Sequence, residues 1–110
     1  MTTPDPFNRS KQELQESVSI LKENIAAMER ELLPLEVQYR QVLKETVLSQ
    51  VKLEKSQTQG AENFVQAASQ KIQELRQQAV QLKIQIKEGE RKLTPLRETL
   101  KAATAQLNSM

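Results

Sequence analysis

The sequence predicts an all-α protein built as an antiparallel coiled-coil hairpin of two long helices. Apolar residues alternate at spacings of three and four over most of the 110 residues. Strong helix formers dominate the composition, which includes 15 glutamines but only two glycines. A polar stretch that ends in Gly60 interrupts the pattern near its middle, where a helix can stop and the chain can reverse.

The N-terminal residues 1–9 are expected to form a disordered tail, because they contain two prolines and no apolar periodicity. Ser10 and Glu13 then match a capping box, in which each side chain bonds to the backbone amide of the other residue. The helical hairpin is therefore expected over residues 10–110, with its first helix over residues 11–57.

The first helix carries an apolar seam at heptad positions a and d that is unbroken up to Val42. Beyond Val42 the seam positions hold Thr46, Ser49 and Ser56, and only Leu53 is apolar. The seam is therefore expected to be weakest in the half of the helix nearer the bend. Its apolar members before that point are Leu14, Val18, Leu21, Ile25, Met28, Leu32, Leu35, Tyr39 and Val42.

The bend is expected over residues 58–61, with Gly60 at its centre, and the second helix over residues 62–108. Leu14 and Leu75 both occupy d positions but lie 61 residues apart, which is not a multiple of seven, so the heptad phase changes across the bend. A single dimerised rod of about 150 Å is the alternative. The phase change favours the hairpin, in which Ile25 pairs with Leu96 and Tyr39 pairs with Leu82.

The two helices resemble each other in sequence. Residues 10–35 and 71–96 share 11 identities in 26 aligned positions, which we interpret as an internal duplication of one helix. Both copies contain a proline inside the helical pattern, and kinks are expected near Pro34 and Pro95. The competing interpretation is that these prolines end helices and divide the chain into a three- or four-helix bundle.

A second set of apolar residues lies off the seam, mostly in the half nearer the bend. One narrow seam stabilises a hairpin only marginally, so we expect another helix to cover this second set. A homodimer that forms a four-helix bundle is the expected arrangement, and a docking surface for a protein partner is the alternative. The expected interface residues are Leu33, Val37, Leu43, Val47, Leu48, Val51 and Phe64.

Catalysis is not expected, because the chain has no His, Cys or Trp. No thiolate nucleophile, imidazole base or zinc site of Cys and His can be assembled, and we expect no catalytic residue, cofactor or metal. The sequence also contains no signal peptide and no transmembrane segment, so a cytoplasmic location is expected.

The predicted function is that of a non-enzymatic coiled-coil interaction module, such as a scaffold, spacer or adaptor subunit. The alternative is a chaperone-like or export-stalk hairpin that binds clients or ATPase components. A lesser alternative is weak nucleic-acid binding through the second helix, although its cations alternate with glutamates and the net charge is only +2. Those cations are Lys83, Lys87, Arg91, Lys92, Arg97 and Lys101.

Overall fold

The computed structural model describes the backbone of residues 6–110 and the side chains from Ser10 onward. It contains two helices, α1 over Pro6–Gln59 and α2 over Glu62–Asn108, and no strand within the described residues. The prediction of an all-helical hairpin is confirmed. Supercoiling, kinks at the prolines and dimerisation into a four-helix bundle stay predictions.

The start of α1 differs from the predicted start, since the helix begins at Pro6 and not at Lys11. The backbone of residues 6–9, expected in the tail, is therefore helical, and residues 1–5 lie outside the described residues. Proline suits the first helical turn because its φ is already helical and it has no N–H to leave unpaired. Ser10 consequently lies inside α1 and does not cap its N-terminus.

The C-terminus of α1 ends in a Schellman motif at Gly60, whose φ is 70°. The Gly60 amide donates to the Gln57 carbonyl at 3.2 Å, and the Ala61 amide donates to the Ser56 carbonyl at 3.1 Å. These two bonds satisfy carbonyls that the helix end would otherwise leave unpaired. Only a residue that tolerates a left-handed backbone fits the Gly60 position.

The N-terminus of α2 starts on the same short connection. The Ala61 carbonyl accepts from the Phe64 amide at 3.1 Å and from the Val65 amide at 3.0 Å. Ala61 therefore completes the end of α1 and opens α2. Because Ala61 bonds to both helices, the connection is only residues 60–61, shorter than the expected bend over 58–61.

Both internal prolines lie within continuous helices. Pro34 is inside α1 and Pro95 is inside α2, so neither proline divides its helix. The competing interpretation of three or four shorter helices is therefore wrong for the described part of the chain. A proline removes one backbone hydrogen bond, but the seam runs through both positions without a change of phase.

Burial follows the predicted seam. Each seam position from Leu14 to Ser56, and from Ala61 to Met110, is buried or half-buried. This includes the polar positions Thr46, Ser49 and Ser56, so the seam continues through its weak stretch in the same phase. The six most buried apolar residues all belong to the seam: Val18, Ile25, Leu32, Ile72, Leu75 and Leu93.

The chain divides into two compact units, each with segments of both helices. Of the described residues, the terminal unit comprises 6–31 and 89–110, and the turn unit comprises 32–88. In the terminal unit, Arg97 Nη2 lies 3.1 Å from Glu29 Oε1 in an ion pair between α2 and α1. Both residues occupy heptad position e, which flanks the seam and commonly carries such pairs.

Candidate interaction surface

Exposed apolar side chains are concentrated in the turn unit. Of the ten large apolar residues that are exposed among the described residues, nine lie between residues 32 and 88. They comprise the seven residues of the expected interface together with Val80 and Ile84. The tenth is Ile20 in the terminal unit, which the sequence analysis missed because it stands alone on its face of α1.

Six of these residues form one surface on α1, which we call the α1 stripe. Leu33 and Val47 occupy heptad position b, and Val37 and Val51 occupy position f, all pointing away from the seam. Leu43 and Leu48 flank them, and the six side chains are 42% to 63% exposed. From Leu33 to Val51 the stripe extends about 27 Å at 1.5 Å per residue.

The remaining exposed apolar residues of the turn unit lie on α2. Val80 and Ile84 form a smaller pair at positions b and f of their own heptads. Phe64 is 70% exposed, two residues after α2 begins and four residues after Gly60. The aromatic ring therefore lies near the turn, within the same unit as the α1 stripe.

The internal repeat shows that these apolar residues are not a by-product of the heptad pattern. An offset of 61 residues relates two of the three outward pairs of the turn unit to outward pairs of the terminal unit. The equivalents are Thr94 and Glu98 for Leu33 and Val37, and Ser19 and Glu23 for Val80 and Ile84. All four equivalents are polar and exposed, so the outer apolar residues distinguish the turn unit from the terminal unit.

The turn unit also contains an open groove of about 890 Å³ between its two helix segments. Val37, Val42 and Leu82 contribute apolar side chains to it, Glu45 and Glu74 contribute carboxylates, and its lining includes no Lys or Arg. Six glutamines supply the rest of its polar lining: Gln38, Gln41, Gln77, Gln78, Gln81 and Gln85. Glutamines carry no apolar periodicity, so the heptad pattern does not indicate this groove.

The chemistry of this groove is hydrogen bonding. Glutamine amides donate and accept hydrogen bonds but do not exchange protons as general acids or bases at neutral pH. Among the described residues, no three acidic side chains come together as a metal site. The groove therefore offers polar contacts and a small apolar floor.

The basic residues of α2 are exposed in both units. Of the six cations from Lys83 to Lys101, Lys83 and Lys87 belong to the turn unit, and the other four belong to the terminal unit. Among those four, Arg97 is paired with Glu29. Glutamates at 88, 90 and 98 alternate with these cations along the helix, as is typical of a solvated helix face.

Within the described residues, neither helix contains a segment apolar enough to cross a membrane. Comparison with known proteins gives no match: no family model, no curated protein and no solved structure is similar to this chain. The α1 stripe is therefore the feature from which we infer a function.

Proposed function

We propose that the chain is a non-enzymatic interaction module, a scaffold or adaptor subunit, that binds an α-helix along the α1 stripe. The observation that carries this proposal is the concentration of outward apolar side chains in the turn unit. Single exposed aliphatic residues are ordinary on protein surfaces, whereas a contiguous set marks an interaction site.

The spacing of the stripe explains why the bound element should be a helix. Leu33 and Val37 are four residues apart, and so are Val47 and Val51. Such i, i+4 pairs form ridges that pack into the grooves of a neighbouring helix at an axial separation of about 8–10 Å. An amphipathic helix presents its own apolar residues at the same spacing, so the two surfaces match in period.

Two kinds of chain can supply this helix. A second copy would give the homodimer and four-helix bundle expected from the sequence, and a different protein would make the chain an adaptor or spacer. The cytoplasm stays the proposed location, on the sequence analysis alone. Each role requires the α1 stripe to be covered in the functional complex.

The proposal is tested by the mass of the native complex. The tagged full chain is isolated from its own cells, and its mass is measured by light scattering for wild type and for the triple variant Leu33→Thr, Val37→Glu, Val47→Glu. The first two changes install the residues of the repeat equivalents, which α2 already carries on its exposed face. The matched control is Ile20→Glu, an exposed aliphatic residue of the terminal unit.

Wild type and Ile20→Glu are expected to elute in a complex heavier than the 12.6 kDa monomer, and the triple variant to elute at the monomer mass. A wild-type monomer, or a complex that survives the triple substitution, would contradict the proposal. Circular dichroism of the triple variant establishes that its helices are intact.

A second candidate function is client binding near the turn, as in a chaperone-like hairpin. The observation that favours it is the exposed ring of Phe64 close to Gly60. Exposed aromatic residues are frequent anchors in binding sites. Phe64→Ala separates the two functions, because it should abolish suppression of client aggregation while leaving a complex held by the α1 stripe unchanged.

A further inference from the structure

Two cations lie at the centre of the α1 stripe. Arg40 occupies position b between Leu33 and Val47, and Lys44 occupies position f between Val37 and Val51. Both are exposed. Along positions b and f, an aliphatic pair, a cationic pair and a second aliphatic pair therefore follow one another, placed symmetrically about position 42.

Neither cation forms an ion pair within the described part of the chain. The Nε of Arg40 donates to the Glu36 carbonyl at 3.5 Å, a contact within its own helix. The ion pair described above joins Arg97 and Glu29, and no described residue forms an ion pair with Arg40 or Lys44. Arg40 and Lys44 also stand four residues apart, a spacing at which like charges destabilise a helix slightly.

A second copy of the chain fits this pattern poorly. If two α1 stripes pair antiparallel about position 42, the aliphatic pairs match, but Arg40 of each copy faces Lys44 of the other. Parallel pairing brings Arg40 against Arg40 and Lys44 against Lys44. Both arrangements gather four cations at the centre of the interface, where desolvation strengthens their repulsion.

A change of register does not remove this conflict. Moving one copy by a heptad in the antiparallel arrangement places Arg40 and Lys44 against aliphatic residues of the other copy. Each cation would then be buried without a partner, which is more costly than leaving it in water. The charge pattern therefore disfavours self-pairing through the α1 stripe in each of these registers.

We infer that the helix that covers the α1 stripe belongs to a different protein and carries carboxylates at the centre of its apolar face. This inference rests on the proposed function and names the partner's chemistry. Two Glu or Asp residues four apart, flanked on each side by an aliphatic pair, would neutralise Arg40 and Lys44.

The probe is the chain itself with its two central charges reversed. The variant Arg40→Glu, Lys44→Glu retains the aliphatic pairs of the α1 stripe and presents carboxylates between them, as the inferred partner does. Sedimentation equilibrium gives the mass of wild type alone, of the variant alone and of their equimolar mixture. The mixture is expected to form a 1:1 complex, with an affinity at least about tenfold higher than that of either chain for itself.

Two controls tie this association to the stripe and its charges. Val47→Glu in the wild-type partner should abolish the mixed complex. Raising the salt concentration from about 0.05 M to about 0.5 M should weaken the mixed complex, because it screens the charge pairs. The neutral variant Arg40→Gln, Lys44→Gln should self-associate more strongly than wild type, which keeps the test decisive if the Glu variant is not helical.

The inference is overturned if wild type forms a homodimer that Val47→Glu dissociates. In that case a second copy covers the stripe, and the proposed interaction function stands. It is also overturned if the mixture stays at the monomer mass while both chains are helical by circular dichroism. Failure of the proposed function itself has a different signature, namely a native complex that does not depend on the α1 stripe.

Discussion

Gly60 shows how a single residue fixes the reversal of the chain. Its φ of 70° is unfavourable for residues with a Cβ, and both hydrogen bonds of the Schellman motif depend on that conformation. A Cβ built at Gly60 would meet no atom within 4 Å. The requirement for glycine at this position is therefore conformational and not steric.

The first prediction follows from this conformation. Gly60→Ala should lower the free energy of unfolding by about 1 kcal/mol, because a left-handed backbone is less favourable for alanine than for glycine. Urea denaturation measures the change. Gly60→Asn should lose less stability than Gly60→Ala, since asparagine tolerates this conformation better. An alanine variant as stable as wild type would contradict the conformational requirement for glycine.

The second prediction compares the seam with the outer face of α2. Leu75 is 2% exposed, so Leu75→Ala should cost about 2–5 kcal/mol through lost burial and the cavity left behind. Val80→Ala, on the exposed outer face of the same unit, should change stability by less than about 0.5 kcal/mol. Thermal denaturation followed by circular dichroism tests both, and equal losses would contradict the assignment of core and surface.

At the scale of the helix, each internal proline is expected to lower the stability of the protein. Pro34 lies in the interior of α1, where it removes one backbone hydrogen bond and crowds the preceding turn. Pro34→Ala should therefore raise the free energy of unfolding by about 1–3 kcal/mol. Chemical denaturation measures the gain, with the exposed Glu31→Ala as a control of small effect, and a loss of stability would show that the proline is required.

Local stability along α1 should follow the chemistry of its seam. Residues 46–59 bury little apolar surface, since Thr46, Ser49 and Ser56 fill three of their seam positions. Their amides should exchange hydrogen about tenfold faster than those of residues 18–35. Hydrogen exchange measured by mass spectrometry tests this prediction.

Thr46→Val supplies the matched control for that measurement. The Thr46 hydroxyl bonds to the Val42 carbonyl of its own helix at 2.7 Å, so its removal breaks no contact between helices. The variant should slow exchange in residues 46–59 alone. Uniform protection along wild-type α1 would contradict a weak seam in this stretch.

The helices were predictable because the a and d positions recur at a fixed spacing, even where a polar residue occupies one of them. Leu14 and Leu75 set the phase of each helix, and burial keeps that phase even at Ser49 and Ser56. The start of α1 was missed because the capping box at Ser10 set the expected start, whereas the helix begins earlier at Pro6, a residue that suits a first helical turn.

The candidate surface was predictable only where its residues share a period. The α1 stripe repeats at positions b and f, and exposure of those side chains follows from the seam lying elsewhere. Ile20 and the glutamine-lined groove lack such a signal, because one is a single residue and the other is polar. The chemistry of the proposed partner helix is inferred only from the charges of Arg40 and Lys44.

At the scale of the whole molecule, the internal repeat places similar seams in both helices and different outer surfaces in the two units. The terminal unit presents Ser19, Glu23, Thr94 and Glu98 at the positions where the turn unit presents aliphatic residues. This contrast is why we propose helix binding by the turn unit. The central claim is therefore that a partner touches α1 at Val37 and does not touch α2 at the repeat-equivalent Glu98.

The most direct test is site-specific photo-crosslinking in the cells that make the protein, with a photoreactive phenylalanine placed either at Val37 or at Glu98. Both positions are exposed f positions of the same repeat, so they differ in their surroundings and not in their helical geometry. A protein adduct at position 37 and none at position 98 is the predicted result. Equal adducts at both positions, or no adduct at position 37, would contradict the assignment of the α1 stripe as the interaction surface.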